Sequence, residues 1–214
     1  MPNTDEIRCR LCLVTPADID GAAFRPLLDA ALGAGDVASL IITGGPQDLQ
    51  LTAEALVPVA QAHNVAALVL NDTRIAGRSR ADGVHVDSGP ADLKTAIEAF
   101  RPDKIVGAGT IRTRHDAMLI GEFDPDYLFF GRLDGDNRPD IFPKALDLAA
   151  WWSSMFVVPA MVMGGNTLHS VAEAAAKDVE FVALRDAIWD HPSGPAQAVG
   201  EANRILDAAA REAA

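Results

Sequence analysis

The chain has 214 residues, 49% of them hydrophobic, and its 18 Lys and Arg against 30 Asp and Glu give a net charge of −12. That length supports one sizeable core, and the acidity, with no clustered basic face, argues against nucleic acid as a partner. No apolar run reaches the roughly 20 residues needed to span a bilayer, so no membrane partner is expected.

The opening MPNTDEIRCR is acidic and polar, unlike a signal or transit peptide, and a cytoplasmic protein is expected. The first strand is predicted over 10–15. Cys12 lies in it and Cys9 just before it, with Arg10-Leu11 between the two. A redox C-x-x-C motif wants a helix N-terminus and a zinc site wants two further ligands, so two buried thiols are expected. A helix over 24–32, a strand over 39–43 and a helix over 52–63 follow. Then come a strand over 67–70, a basic helical turn after Asn71-Asp72, and a strand over 83–86. The alternation continues with helix 92–100, strand 104–108, helix 114–121, strand 127–130 and helix 144–154. Strand 160–163, helix 167–176, strand 181–184 and a last helix over 196–210 complete it. The strands read as continuous apolar runs (LIIT, LVL, YLFF, AMVM), as parallel strands buried on both faces do. Eight βα units predict one (β/α)8 TIM barrel over 1–214, with no linker or domain boundary. An open doubly wound sheet would carry a glycine fingerprint in its first βα turn, and VTPADIDG has none.

In such a barrel, chemistry gathers at the C-terminal strand ends. Those ends offer Thr43, Asn71-Asp72, His85 with Asp87, Gly107 to Thr110, Gly131-Arg132, Gly164-Gly165-Asn166 and Arg185-Asp186. Gly164, Gly165 and Asn166 open a helix, where free amides and the helix dipole favour an anion. With Arg185 they form the candidate phosphate site; the alternative is a tight turn capped by Asn166. Asp186 fits the phosphate site only if its side chain points away. Asp72 suits Mg²⁺ beside substrate phosphate oxygens, or equally an N-cap. His85 alternates with Val84 and Val86, which puts it either in the lumen under a pocket or in a hydrogen-bonded core. His63, His115, His169 and His191 show no metal-ligand spacing. No nucleophile motif or P-loop appears.

The stretch LNDTRIAGRSRADGVHV, with CLVTP, KIVGAGTIRTRHDAM, DYLFFGRL and PAMVMGGNTLHSVAEAAAKDVEFVAL, resembles the thiamine phosphate synthase family over nearly the whole chain. The resemblance implies a (β/α)8 barrel. It also implies a Mg²⁺-dependent transfer of hydroxymethylpyrimidine from its pyrophosphate ester to thiazole phosphate, and the related thiazole tautomerases share the fold. By position, Asn71 would contact pyrophosphate or pyrimidine and Asp72 would bind Mg²⁺. Gly164 and Gly165 would hold thiazole phosphate, and His85 would support the pocket. Thr43, Gly109 and Arg132 stand where substrate is expected. A homodimer is compatible with the resemblance.

The chain departs from the family pattern at several of these ends. Strand 2 lacks Q-x-R-x-K and ends Ile42-Thr43-Gly44. Pro90 stands at the second metal carboxylate, leaving Asp87 as a displaced substitute. The S-x-H-T after strand 5 is Gly109-Thr110-Ile111. The lysine expected after strand 6 is missing, with Arg132, Arg138 and Lys144 nearby. Asp186 replaces a small residue. Losing the cations that stabilise a departing pyrophosphate predicts very slow coupling. The alternatives are a non-catalytic relative that binds a phosphorylated small molecule and a tautomerase-like isomerase.

Overall fold

A computed structural model describes residues 8–45 and 47–213. The leader reading of the first residues falls on 1–7, outside the described residues. The strands are β1 (Arg10–Val14), β2 (Ser39–Ile42), β3 (Ala66–Leu70), β4 (Gly83–Val86), β5 (Ile105–Ile111), β6 (Tyr127–Phe130), β7 (Ala160–Met163) and β8 (Phe181–Leu184). All pair in parallel, each with the next, and β1 pairs with β8, so the sheet closes into a barrel. The helices α1 (Gly21–Leu32), α2 (Leu49–Ala62), α3 (Thr73–Ser79), α4 (Pro90–Phe100) and α5 (Arg114–Gly121) cover the first five strands. They are followed by α6 (Pro143–Met155), α7 (His169–Ala175), α8 (Asp186–Trp189) and α9 (Pro195–Ala213). Among the described residues no helix is long and apolar enough to cross a membrane.

Period-2 alternation sorts every strand into two packed sets. Leu11, Leu13, Leu40, Val84, Val86, Phe130 and Val162 face the helices in the main core. Cys12, Val14, Ile41, Leu68, Phe129, Met161 and Ala183 fill the lumen in a second cluster. The two thiols fall one on each side. Both are free and buried, and burial pushes each up to about 12.

The structure differs from the sequence reading at several element ends: α1 and α2 each begin three residues earlier, at Gly21 and Leu49, and α9 runs on to Ala213. β5 runs on to Ile111 through a register shift between Ala108 and Ile111, with Thr110 in the left-handed region at φ 62°. A glycine-bearing segment reads as the end of a strand, and the irregularity is what lets pairing resume. α7 begins at His169 rather than 167, and α8 is a one-turn helix that no apolar period announces.

At the opposite end from the strand tips, carboxylates latch the barrel. Asp82, Asp126 and Glu180 stand just before β4, β6 and β8, and accept the N–H groups of Ala67, Val106 and Ala160 at 2.7–2.8 Å. Each ties an even strand to the odd strand beside it. This face serves stability rather than chemistry.

Gly83 shows how tightly β4 and β5 are drawn together. A Cβ there would lie 2.9 Å from Ile105 Cα and closer still to its carbonyl, all of it backbone. Gly83→Ala is expected to cost about 3 kcal/mol, the upper end of the usual overpacking range. Urea unfolding measures it; a loss below about 0.5 kcal/mol, the scatter of a neutral surface change, contradicts the packing described.

Candidate active site

A cavity of about 560 Å³ opens at the C-terminal ends of the strands, with His85, Gly109, Phe129 and Asp87 among its lining residues. His85 is its floor. The strand alternation that sends Val84 and Val86 outward sends this imidazole into the lumen, where it is fully buried. Its Nδ1 lies 2.8 Å from the Tyr127 hydroxyl, and the two rings stack with centroids 5.7 Å apart. The Phe129 ring meets it edge-on at 5.1 Å. Nε2 has no hydrogen-bond partner among the described residues. Burial, opposed by the nearby Asp87 carboxylate, pushes the imidazole down to about 4, so it is neutral near pH 7. Two neighbouring glycines make room for the pair. A Cβ at Gly107 would overlap the Tyr127 ring, and one at Gly109 would sit 2.9 Å from His85 Nε2.

The rim above β3 and β4 is built by Asn71. Its left-handed backbone (φ 58°) turns the chain at the strand tip, and its amide N–H donates to the His85 carbonyl at 2.8 Å. The Asn71 side chain donates to Asp87 Oδ1 at 2.6 Å and accepts from the Asp87 and Ser88 amides. Asp72 caps α3, its Oδ1 accepting the Ile75 N–H at 2.8 Å. Thr43 is buried and locked to Thr15 by reciprocal bonds, each backbone–side chain pair at 2.8–2.9 Å. The Thr110 hydroxyl donates to the Asp87 carbonyl, joining the β5 irregularity to the β4 end.

The opposite side carries the charges. Arg185 donates to Asp136 at 2.5 Å and to Asp186 at 2.9 Å, and Asp136 also accepts the Asp186 N–H. Asp136 is fully buried, and burial pushes its carboxyl up against the pull of that N–H and of Arg185. The Asp186 side chain therefore turns toward Arg185, not away from it. Arg132 is exposed and paired bidentately with Asp134.

The glycine turn after β7 lies beneath the β6–α6 loop. Gly164 N–H donates to the Ala183 carbonyl and Asn166 N–H to that of Arg138, both at 2.8 Å. A Cβ on Gly165 would come within 2.7 Å of the Arg138 carbonyl oxygen and 2.6 Å of the Pro139 carbonyl carbon. The turn is thus set back from the cavity over His85. Thr43, His85, Asp87, Gly109, Arg132 and Arg185 line that cavity, and Asn71 stands behind Asp87 through its hydrogen bond; Asn71, Asp72, Gly164, Gly165 and Asn166 do not line it.

Sequence reasoning missed three members of the site. Tyr127 reads as one more strand aromatic, and only the register that sets it beside Gly107 reveals its role. Asp136 sits in a loop without periodicity. Arg112 reaches the cavity because β5 runs past its glycines. A donor cluster also went unread: the ligand atoms of Asp140, His169 and Glu173 lie within 4.8 Å of one another, with Glu173 also accepting the Ile141 N–H. His169 and Glu173 are four apart on α7, but Asp140 comes from a distant loop.

The chain matches the thiamine monophosphate synthase family over residues 11–188. It is 37% identical over 203 residues to the thiamine-phosphate synthase of Rhodospirillum centenum, covering 92% of this chain and 98% of that one. The thiamine-phosphate synthase of Hyphomonas neptunium is 35% identical, with 95% and 96% covered. Among solved structures, the thiamine phosphate pyrophosphorylase from Pyrococcus furiosus superposes with a TM-score of 0.77 at 17% identity, over 96% of this chain and 98% of that one. A dimeric archaeal Rubisco from Hyperthermus butylicus superposes at 0.68 and 14% identity, over 96% of this chain and 61% of its own. At such identities the structural likenesses speak for the barrel alone.

Tyr127→Phe removes the one partner of a buried imidazole nitrogen. Leaving that atom unpaired costs about 1–3 kcal/mol. The variant should lose stability in that range in urea unfolding, whereas an unchanged midpoint would mean that the Nδ1 contact contributes nothing.

Proposed function

The chain belongs to the thiamine monophosphate synthase family, and from that premise we propose that the cavity over His85 joins hydroxymethylpyrimidine, brought as its pyrophosphate ester, to thiazole phosphate. The observation that carries the reading is the buried Nε2 of His85, unpartnered at the floor of the cavity. A buried polar atom without a partner costs about 1–3 kcal/mol, and a ligand atom that bonds to it removes that cost. A flat nitrogen heterocycle supplies such an atom and an apolar face for Phe129. Being neutral, His85 orients the ring by hydrogen bonding and adds no charge.

The transfer breaks the bond from the pyrimidine methylene carbon to a pyrophosphate oxygen and forms one from that carbon to the thiazole nitrogen. The bonding pair departs with the pyrophosphate, so the step needs positive charge at the leaving group. Asp72 and Asp87 would hold Mg²⁺, a donor set that suits this ion beside phosphate oxygens. Each uses only one carboxylate oxygen in the bonds described, and Asn71 ties the two strand tips together. The ion's charge would offset that of the pyrophosphate. Seating the thiazole phosphate at Gly164, Gly165, Asn166 and Arg185 would require the β6–α6 loop to lift from the turn and Asp186 to release Arg185.

The chain's own cations at the cavity support only slow turnover. Of the three cations that line it, Arg132 and Arg185 face carboxylates and Arg112 alone forms no ion pair among the described residues, while β2 is followed by Thr43, without a cation. Losing one preorganised charge contact typically lowers the rate by about 10²–10³. The absence of a cation at the end of β2 also favours a second reading, a relative that binds a phosphate ester without turning it over.

A pyrophosphate-release assay with Mg²⁺ and both substrates tests the proposal. We expect turnover at least tenfold below the median enzyme rate of about 10 s⁻¹, falling further in Asp72→Ala. Turnover at or above that median overturns the slow-synthase reading. No release, with thiazole phosphate still bound, selects the binding relative.

A further inference from the structure

Beside the cavity over His85 lies a second hollow of about 600 Å³, between the end of β5, the β6–α6 loop and the start of α6. Four cations line it, Arg112, Arg132, Arg138 and Lys144, against the single carboxylate of Asp134. Arg132 is taken by that carboxylate. Arg112, Arg138 and Lys144 form no ion pair among the described residues. In a chain of net charge −12, three uncompensated cations around one concavity focus a positive potential there. The helix start adds to it: Phe142 stands at the N-cap position of α6 and offers no side-chain cap, so the first amides of a 13-residue helix lack that acceptor.

The hollow is also apolar on one wall. Leu148 and Met163 line it, and the Phe142 ring is half exposed with the Arg138 guanidinium 5.9 Å from its centroid. Cations beside a bare aromatic face suit a phosphoryl group carried on a flat ring, where the anion meets the cations and the ring stacks. Arg112, Gly131 and Arg132 line both hollows, so the two adjoin.

We propose that this groove is an anion subsite for the phosphoryl group of one of the two substrates. The inference rests on the synthase reading, which brings two separately phosphorylated molecules together and so requires two anion seats. β2 offers no cation for the first, and the glycine turn after β7 is covered by residues 138 and 139. The groove supplies the missing charge from the other side of the barrel mouth. Either a free or esterified pyrophosphate or the monophosphate of the thiazole has the required chemistry.

Calorimetry with EDTA present, at about 0.15 M salt to screen long-range charge effects, separates the possibilities. Inorganic pyrophosphate and thiazole phosphate are titrated separately into the full chain, into Lys144→Glu and Arg138→Glu, and into Lys94→Glu as an equal charge change on remote α4. Thermal melts verify that each variant is folded, and Lys144→Gln replaces a reversal that is not. The groove predicts that both groove variants weaken one of the two probes at least tenfold while Lys94→Glu stays within twofold of the parent. The probe that weakens identifies the seated group. No metal-free binding of either probe overturns the inference, as do groove variants that bind like the parent or a matching loss in Lys94→Glu. Because no turnover is involved, failed pyrophosphate release with groove binding intact counts against the synthase reading alone.

Discussion

Closing eight parallel strands into a ring forces every second side chain into one narrow lumen, and the rest of the site follows from that constraint. In β4 the constraint turns His85 inward, and in β6 it turns Tyr127 and Phe129 toward the same level. Three large rings fit only because β5, between them, presents Gly107 and Gly109. The imidazole is thereby buried, neutral and held at one nitrogen, with the other unpartnered among the described residues. In the proposed function this imidazole would be a binding group fixed by packing before any ligand arrives, which is what preorganisation requires.

The two ends of the barrel use charge differently. At the bottom, carboxylates before alternate strands accept strand amides, and Arg101 pairs with Asp124 and Asp126. Asp36 pairs there with Arg10, whose hydrogen bond holds the carboxyl below its usual range. At the mouth, Asp136 and Asp186 neutralise Arg185 while Asp134 neutralises Arg132. The cations outside these pairs flank the β6–α6 loop. The excess of acidic residues is thus compatible with an anionic ligand, because the balance is local.

Much of this was legible in the sequence. Continuous apolar runs separated by amphipathic segments yield eight βα units, and the barrel topology follows from their number. The alternation around His85 places it in the lumen once the barrel is granted. Asn71 and Asp87 were legible as strand-tip residues, though their mutual hydrogen bonds were not. What stayed hidden depends on register or on loop course. Tyr127 matters because of the residue beside it on β5, and Asp136 because its loop folds back onto Arg185. The glycine turn after β7 reads as an open amide cradle, but no local pattern reveals that Arg138 and Pro139 lie across it. Asp72 remains readable both ways: it caps α3 with one oxygen and keeps the other.

The central claim is that the ligand sits over His85 with a polar atom on Nε2. A crystal structure of the protein with thiazole phosphate, pyrophosphate and Mg²⁺ tests it directly. The account predicts ligand density in the cavity between His85, Phe129 and Asp87, with a nitrogen or oxygen at hydrogen-bond distance from Nε2. Ligand bound elsewhere, with Nε2 still facing an empty cavity, would contradict it.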